Sequence, residues 1–214
     1  MTFHTISQSF AMEDKMKYII PIIILSFVLL SCSKDEDKET QTAAEKAAAA
    51  QVVALEGTWK TACYTNSDNT SFIDTITFAG NSITGNFEKH SDTSCATDYS
   101  SEELSLTVSI GDAVTFSNGK TGHKFTLIVP STTKITPQSA SAASAFNSSR
   151  KCDKTDWAED TEKECSVDED DVGDTILCLY QLDGNNWYPD CDDSAYPSTS
   201  DIQTDNASST FTKQ

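Results

Sequence analysis

The chain has 214 residues, of which 37% are hydrophobic. That suits one domain with a modest core. Acidic residues outnumber basic ones 33 to 15, giving a net charge of −18. Such a chain repels nucleic acid and anionic headgroups, so no nucleic-acid partner is expected. Eight Gly and five Pro exclude collagen-like and proline-rich classes.

The one long apolar run spans Tyr18 to Leu30. It falls short of the roughly 20 residues a bilayer-spanning helix needs. Lys17 precedes it and Pro21 interrupts it, the layout of a secretory signal. Glu13 and Asp14 do not belong in a signal's basic start, so Met16 reads as the true start. The run ends in Leu29-Leu30-Ser31-Cys32, which resembles the bacterial lipobox. The resemblance implies cleavage before Cys32, acylation of its thiol and anchoring to a membrane by the lipid. Ser33 stands where an Asp would retain a Gram-negative lipoprotein at the inner membrane, so outer-membrane delivery is expected. The run Lys34-Asp35-Glu36-Asp37 also resembles an acidic tag that routes some bacterial lipoproteins to the cell surface. Otherwise it is a solvated tether, and the periplasmic and outer faces both stay open. The expected organisation is a signal over 1–31, a lipidated tether over 32–41, a short helix over 42–56 and a β-domain over 57–214.

The chain has seven cysteines. Lipidation of Cys32 leaves six: Cys63, Cys95, Cys152, Cys165, Cys178 and Cys191. An even remainder fits disulfides in an oxidising compartment. Zinc sites show close Cys pairs, and no such spacing occurs here, so neither metal nor other cofactor is expected. Cys63 and Cys95 flank the first hairpin and are expected to pair. For the other four, symmetry about Gly184-Asn185 favours Cys178–Cys191 with Cys152–Cys165. Symmetry about Asp171-Val172 favours Cys165–Cys178 with Cys152–Cys191. The first scheme keeps every loop local, but symmetry alone leaves both open.

Within the mature chain, Thr42 and Glu45 have capping-box spacing ahead of an Ala-rich stretch, so a helix is expected to Leu55, ended by Gly57. From Trp59 the pattern turns to strands. Ser71–Phe78 is β-rich, with Phe72, Thr75 and Phe78 off strict alternation. Ala79-Gly80-Asn81-Ser82 is a hairpin turn, and Ile83–Glu88 runs back. Leu104 to Ile110 alternates strictly, and Gly111-Asp112 is expected to turn the chain. Further strands are expected at 114–116, 124–129, 132–135, 163–167, 175–182, 186–188 and 208–213, and a short helix at 139–146. About eight to ten short strands with two minor helices predict an all-β antiparallel sandwich or barrel.

Gly57-Thr58-Trp59 opens the first strand and resembles the Gly-x-Trp signature of lipocalins. The stretch from about 52 to 214 is similar to bacterial lipocalin-like lipoproteins with Trp59 and Cys63, then Asp92 and Cys95, then Cys152, Asp156 and Trp157. The resemblance implies an up-and-down barrel with Trp59 packed across one end. Lipocalins cover that Trp with a late-strand Arg, whereas Arg150 is this chain's only arginine.

No catalytic pattern stands out. His90 and His123 are the mature chain's histidines, and there is no Gly-x-Ser-x-Gly elbow. The acidic runs Asp168–Asp171 with Asp174, and Asp190, Asp192 and Asp193, lack the EF-hand order and read as solvated turns. Trp157, Trp187 and Tyr188 read as core or disulfide packing. The leading expectation is a binding module for a small apolar ligand or an envelope protein. The alternative is a structural or adhesion lipoprotein with a filled barrel, and an enzyme comes third. An interior cavity of about 300 Å³ or more would separate the first from the second.

Overall fold

The computed structural model describes residues 46, 54–200, 208 and 210–214. The signal, the tether and most of the expected helix at 42–56 lie outside these. Ala54 and Leu55 are helical, and Leu55 is buried.

Eight antiparallel strands close into a barrel. They are β1 (Gly57–Thr61), β3 (Ser71–Ala79), β4 (Ser82–His90), β5 (Asp98–Thr115), β6 (Thr121–Ile128), β9 (Thr175–Asp183), β10 (Asn186–Asp192) and β11 (Phe211–Lys213). Each pairs with the next in that order, and β11 returns to β1 with Trp59 opposite Lys213 and Thr61 opposite Phe211. A two-residue strand, β2 (Tyr64–Thr65), continues β1 after a break and pairs with the start of β3.

The chain goes up and down in sequence order, with one excursion. Between β6 and β9 it forms β7 (Thr132–Pro137), helix α1 (Ala140–Ser149), a single 3-10 turn (Lys151–Asp153) and β8 (Lys163–Ser166). β7 pairs with the first half of β5, and β8 pairs with β7 alone among the described residues. The 18-residue β5 therefore serves two sheets: β4 and β7 flank its beginning, and β6 takes over near Thr107.

Two sequence expectations change here. Gly111-Asp112 is not a turn. The strand runs through it with a register shift between Ile110 and Ala113, a bulge of the kind that bends barrel strands. In β3 the inward row is Phe72, Asp74, Ile76 and Phe78, all buried, while Thr75 is only partly so. The alternation is strict after all, and a carboxylate at an inward position concealed it.

The register builds the core. Phe78 faces Ile83, Ile76 faces Gly85 and Asp74 faces Phe87 across β3 and β4, so these side chains share the interior. Leu104, Leu106 and Val108 of β5 and Phe125 and Leu127 of β6 complete that wall. A second small core holds Ile135, Ala143, Trp157 and Cys165, with Phe146 and Cys152 packed against it. Ser139 caps α1 by accepting from the backbone N–H of Ala142.

Candidate functional site

The lower barrel is built around Trp187. Its ring lies 4.9 Å from Phe211, 5.1 Å from Phe78, 6.2 Å from Trp59 and 6.3 Å from Phe125, centroid to centroid. Trp187 is 0% exposed, and Trp59, Phe125, Tyr180 and Phe211 are 1% each. These rings keep almost no surface open to a water-sized probe. An eight-stranded barrel is just wide enough for side chains to fill it or for one small ligand; here side chains take the space at this end.

Trp59 is buried on β1. Its indole N–H donates to the Leu55 carbonyl at 2.7 Å, fixing the entry of the chain to the barrel floor. Gly57 has φ +105°, a conformation that disfavours any side chain. The ammonium of Lys213 lies 5.2 Å from the Trp59 ring centroid. The last strand thus brings a cation over the face of the tryptophan.

The upper barrel is polar. Asp74 is fully buried. Its Oδ2 accepts from the Tyr64 hydroxyl at 2.7 Å, and its backbone N–H donates to Thr61 Oγ1 at 2.9 Å. Its Oδ1 has no partner among the described residues. Burial pushes the carboxyl up to about 7, against the downward pull of the Tyr64 hydrogen bond. Burial also pushes the Tyr64 hydroxyl far above its ordinary value, with the charge of Asp74 adding to it. Nearby, Thr133 Oγ1 donates to Glu102 Oε1 at 3.1 Å and to the Glu103 carbonyl at 2.9 Å.

His90 lies at the end of β4, opposite Ser71 on one side and Asp98 on the other. A serine, a histidine and an aspartate thus stand in one row across three strands. Ser71 Oγ is otherwise engaged: it donates to the Asp92 carbonyl at 2.6 Å and accepts from the Cys95 N–H at 3.1 Å. His90 Nδ1 is 3.1 Å from Asp98 Oδ1 but is not aligned for a hydrogen bond, and Nε2 has no partner among the described residues. Through Ser71 the row ties the loop that carries Asp92 and Cys95 to the strand ends. His123 stacks on Tyr180 at 5.8 Å.

Three disulfides are present: Cys63–Cys95, Cys152–Cys165 and Cys178–Cys191, with Cα separations of 6.0, 5.5 and 4.1 Å. These are the local scheme. Cys178 and Cys191 face each other in register inside the barrel. The rival bond between Cys165 and Cys178 required β8 and β9 to form a hairpin. β8 pairs only with β7, and β9 pairs with β6 and β10.

The excursion forms a second, external feature. Asn147 grips Trp157 twice, accepting from its backbone N–H at 2.7 Å and donating to its carbonyl at 2.9 Å. The Trp157 indole donates to the Lys151 carbonyl at 3.1 Å. Arg150, Cys152 and Asp153 all have φ between +54° and +57°. Non-glycine residues hold that conformation where their surroundings force it, and the bond from Cys152 to Cys165 supplies such a constraint. Beside this segment lies an open polar recess of about 670 Å³, lined by Asp153, Lys154, Thr155, Asp156, Lys163 and Glu164. Lys163 bridges it, contacting the Asp156 carboxylate at 2.5 Å and its carbonyl at 2.8 Å.

Elsewhere the acidic loops approach one another. Burial raises the Asp171 carboxyl, and the charges of Asp168, Asp174, Asp170 and Asp193 raise it further. Among the described residues no group of three or more His, Cys, Asp or Glu is arranged to hold a metal ion. No helix among them is long and apolar enough to cross a membrane. Sequence reasoning missed the Tyr64–Asp74 pair and the recess. The Trp157 element flagged the recess indirectly. An acid among β-formers was the only mark of Asp74. No protein-family model matches the chain, and no curated protein matches it either.

Proposed function

We propose that the chain is an outer-membrane lipoprotein, anchored through Cys32, whose lipocalin-like barrel is a filled scaffold that engages an envelope protein from outside. The observation that carries this reading is the aromatic cluster around Trp187, whose rings are almost completely buried against one another. A carrier of apolar ligands needs a lined cavity. Gly57 and Trp59, the Leu55 bond and the Lys213 cover support lipocalin-like ancestry for the barrel. The external excursion between β6 and β9 offers the surface that a filled barrel lacks inside. No catalytic step belongs to this reading.

The test is a titration of the full mature protein with a fluorescent apolar dye and with palmitate. The expected result is no saturable binding. One tightly bound molecule per barrel would overturn the filled-scaffold reading in favour of a carrier. The address is checked separately. Wild-type protein should incorporate labelled palmitate and sediment with outer membranes, and Cys32→Ala should do neither.

A further inference from the structure

The outer edge of β8 carries open hydrogen-bonding positions. The Val167 N–H donates to the Ser131 carbonyl at 3.0 Å, and the register sets Cys165 against Thr133 and Lys163 against Ile135. In an antiparallel ladder, alternate residues turn their N–H and C=O to the same neighbour. Val167, Cys165 and Lys163 therefore face β7. Glu164 and Ser166 turn their backbone groups the other way, where β8 has no neighbouring strand among the described residues. Both residues are exposed.

This edge is rigid. Cys165 is bonded to Cys152 and is 2% exposed, and Trp157 packs in the same small core. The recess lined by Lys163 and Glu164 opens beside it. Natural proteins usually blunt a free edge with charge, proline or a cover. Here the one lysine of β8 is turned to Asp156, and Glu164 stands opposite Lys134 of β7, a lysine that also pairs with Glu103 and Glu162, so acids outnumber bases around this strand. The recess is lined by three acids, Asp153, Asp156 and Glu164, against two lysines, Lys154 and Lys163. On a chain of net charge −18, this surface repels a second copy and attracts a cationic segment.

We infer that the outer edge of β8 is a docking strand on which an extended, lysine- or arginine-bearing segment of an envelope partner adds to the sheet, its backbone pairing with Glu164 and Ser166 and its basic side chains meeting Asp153 and Glu164. The inference rests on the external-partner reading above and names the partner's chemistry. Such strand addition draws affinity from main-chain hydrogen bonds and specificity from side chains.

The probe is a synthetic ten-residue peptide of alternating Lys and Thr. Its controls are the same peptide N-methylated at alternate positions and a Glu/Thr counterpart. Fluorescence anisotropy measures binding to the full mature protein, and amide exchange reports on Glu164 and Ser166. The Lys/Thr peptide should bind saturably and protect both amides. Ser166→Pro should weaken binding tenfold or more; it deletes an outward N–H and no ladder bond, and an unchanged melting temperature confirms the fold. N-methylation should weaken it equally, Glu164→Lys should weaken it, and the Glu/Thr peptide should not bind. Equal binding by the N-methylated peptide or by Ser166→Pro would reduce the effect to charge attraction and overturn the inference. Absence of binding, or concentration-dependent dimerisation lost in Ser166→Pro, would overturn it as well. None of these outcomes bears on the dye and palmitate titrations, so the filled-scaffold reading stands or falls separately.

Discussion

The Tyr64 hydroxyl donates a 2.7 Å hydrogen bond to Asp74 inside the upper barrel, leaving the second carboxylate oxygen of Asp74 without a partner among the described residues. One hydrogen bond does not replace the hydration a carboxylate loses on burial, so the folded protein favours the protonated form. The carboxyl moves from 3.8 to about 7. The unfolded chain ionises first as pH rises, so the stabilisation is fully present below about 4 and is lost as pH climbs to about 7. The whole span corresponds to roughly 4 kcal/mol. Melting temperature should therefore fall between pH 4 and 7 in the wild type. Asp74→Asn should remove most of that slope, gaining on the wild type through this window and levelling off above it. Parallel pH profiles for the two proteins would show that Asp74 does not titrate in this way.

Asp74 also marks the limit of what the sequence makes legible. Leu104, Leu106, Val108 and Ile110 announce their strand because every inward position is apolar. Ser71–Phe78 hides the same alternation because one inward position is an acid whose partner, Tyr64, lies on another strand. Gly111-Asp112 has turn composition, yet flanking pairs on both sides hold it in the sheet as a bulge. The polar start of β5, Asp98–Glu103, looks like loop because its pattern depends on β7, whose place beside it no local signal encodes. The disulfide ambiguity has the same root: symmetry arguments assume that consecutive strands pair, and β8 and β9 do not. What was legible, the strand spacing and the Gly57-x-Trp59 entry, is local. What was not legible is long-range.

Trp187 touches four other aromatic rings and has no exposed surface. Trp187→Ala removes the hub that fills the lower barrel. The expected cost is about 3–5 kcal/mol, from lost transfer energy and the cavity left behind. The variant should also gain saturable binding of the apolar dye that the wild type does not bind. Chemical denaturation and the dye titration measure the two effects. A variant within 1 kcal/mol of wild type, by the cavity scale above, would mean that the interior is not packed around this ring.

Gly122 in β6 has no room for a side chain. A Cβ there would lie 2.0 Å from the Tyr180 carbonyl oxygen and 2.4 Å from the Phe116 ring. The carbonyl belongs to β9, whose Gln181 pairs with Gly122 across the ladder, so it cannot swing aside as a flexible side chain would. Gly122→Ala should destabilise by at least the 1–3 kcal/mol typical of overpacking. Gly119→Ala is the control. Gly119 meets nothing within 4 Å but has φ +79°, so its cost is backbone strain alone, about 1 kcal/mol. Thermal melts of the pair should rank Gly122→Ala as the more damaging.

The three disulfides differ in access, and that should order their reduction. Cys63 is exposed and Cys95 partly so, at the mouth of the barrel. Cys152 is partly buried and Cys165 is 2% exposed. Cys178 and Cys191 are both 0% exposed, facing each other inside the barrel wall. Exchange needs a thiolate to reach a sulfur, so under native conditions a mild thiol should open Cys63–Cys95 first. That bond spans 32 residues, and in the chain-entropy model its loss costs roughly 3–4 kcal/mol. The strand ladder of β1, β3 and β4 does not run through it, so the partly reduced protein should stay folded with a lower melting temperature. Cys178–Cys191 should persist until the barrel itself unfolds. Stepwise reduction with alkylation and peptide mass spectrometry reads the order. Alkylated Cys178 or Cys191 in protein that still shows the native near-ultraviolet circular dichroism of its tryptophans would mean that the barrel wall opens well below global unfolding, contrary to this ordering.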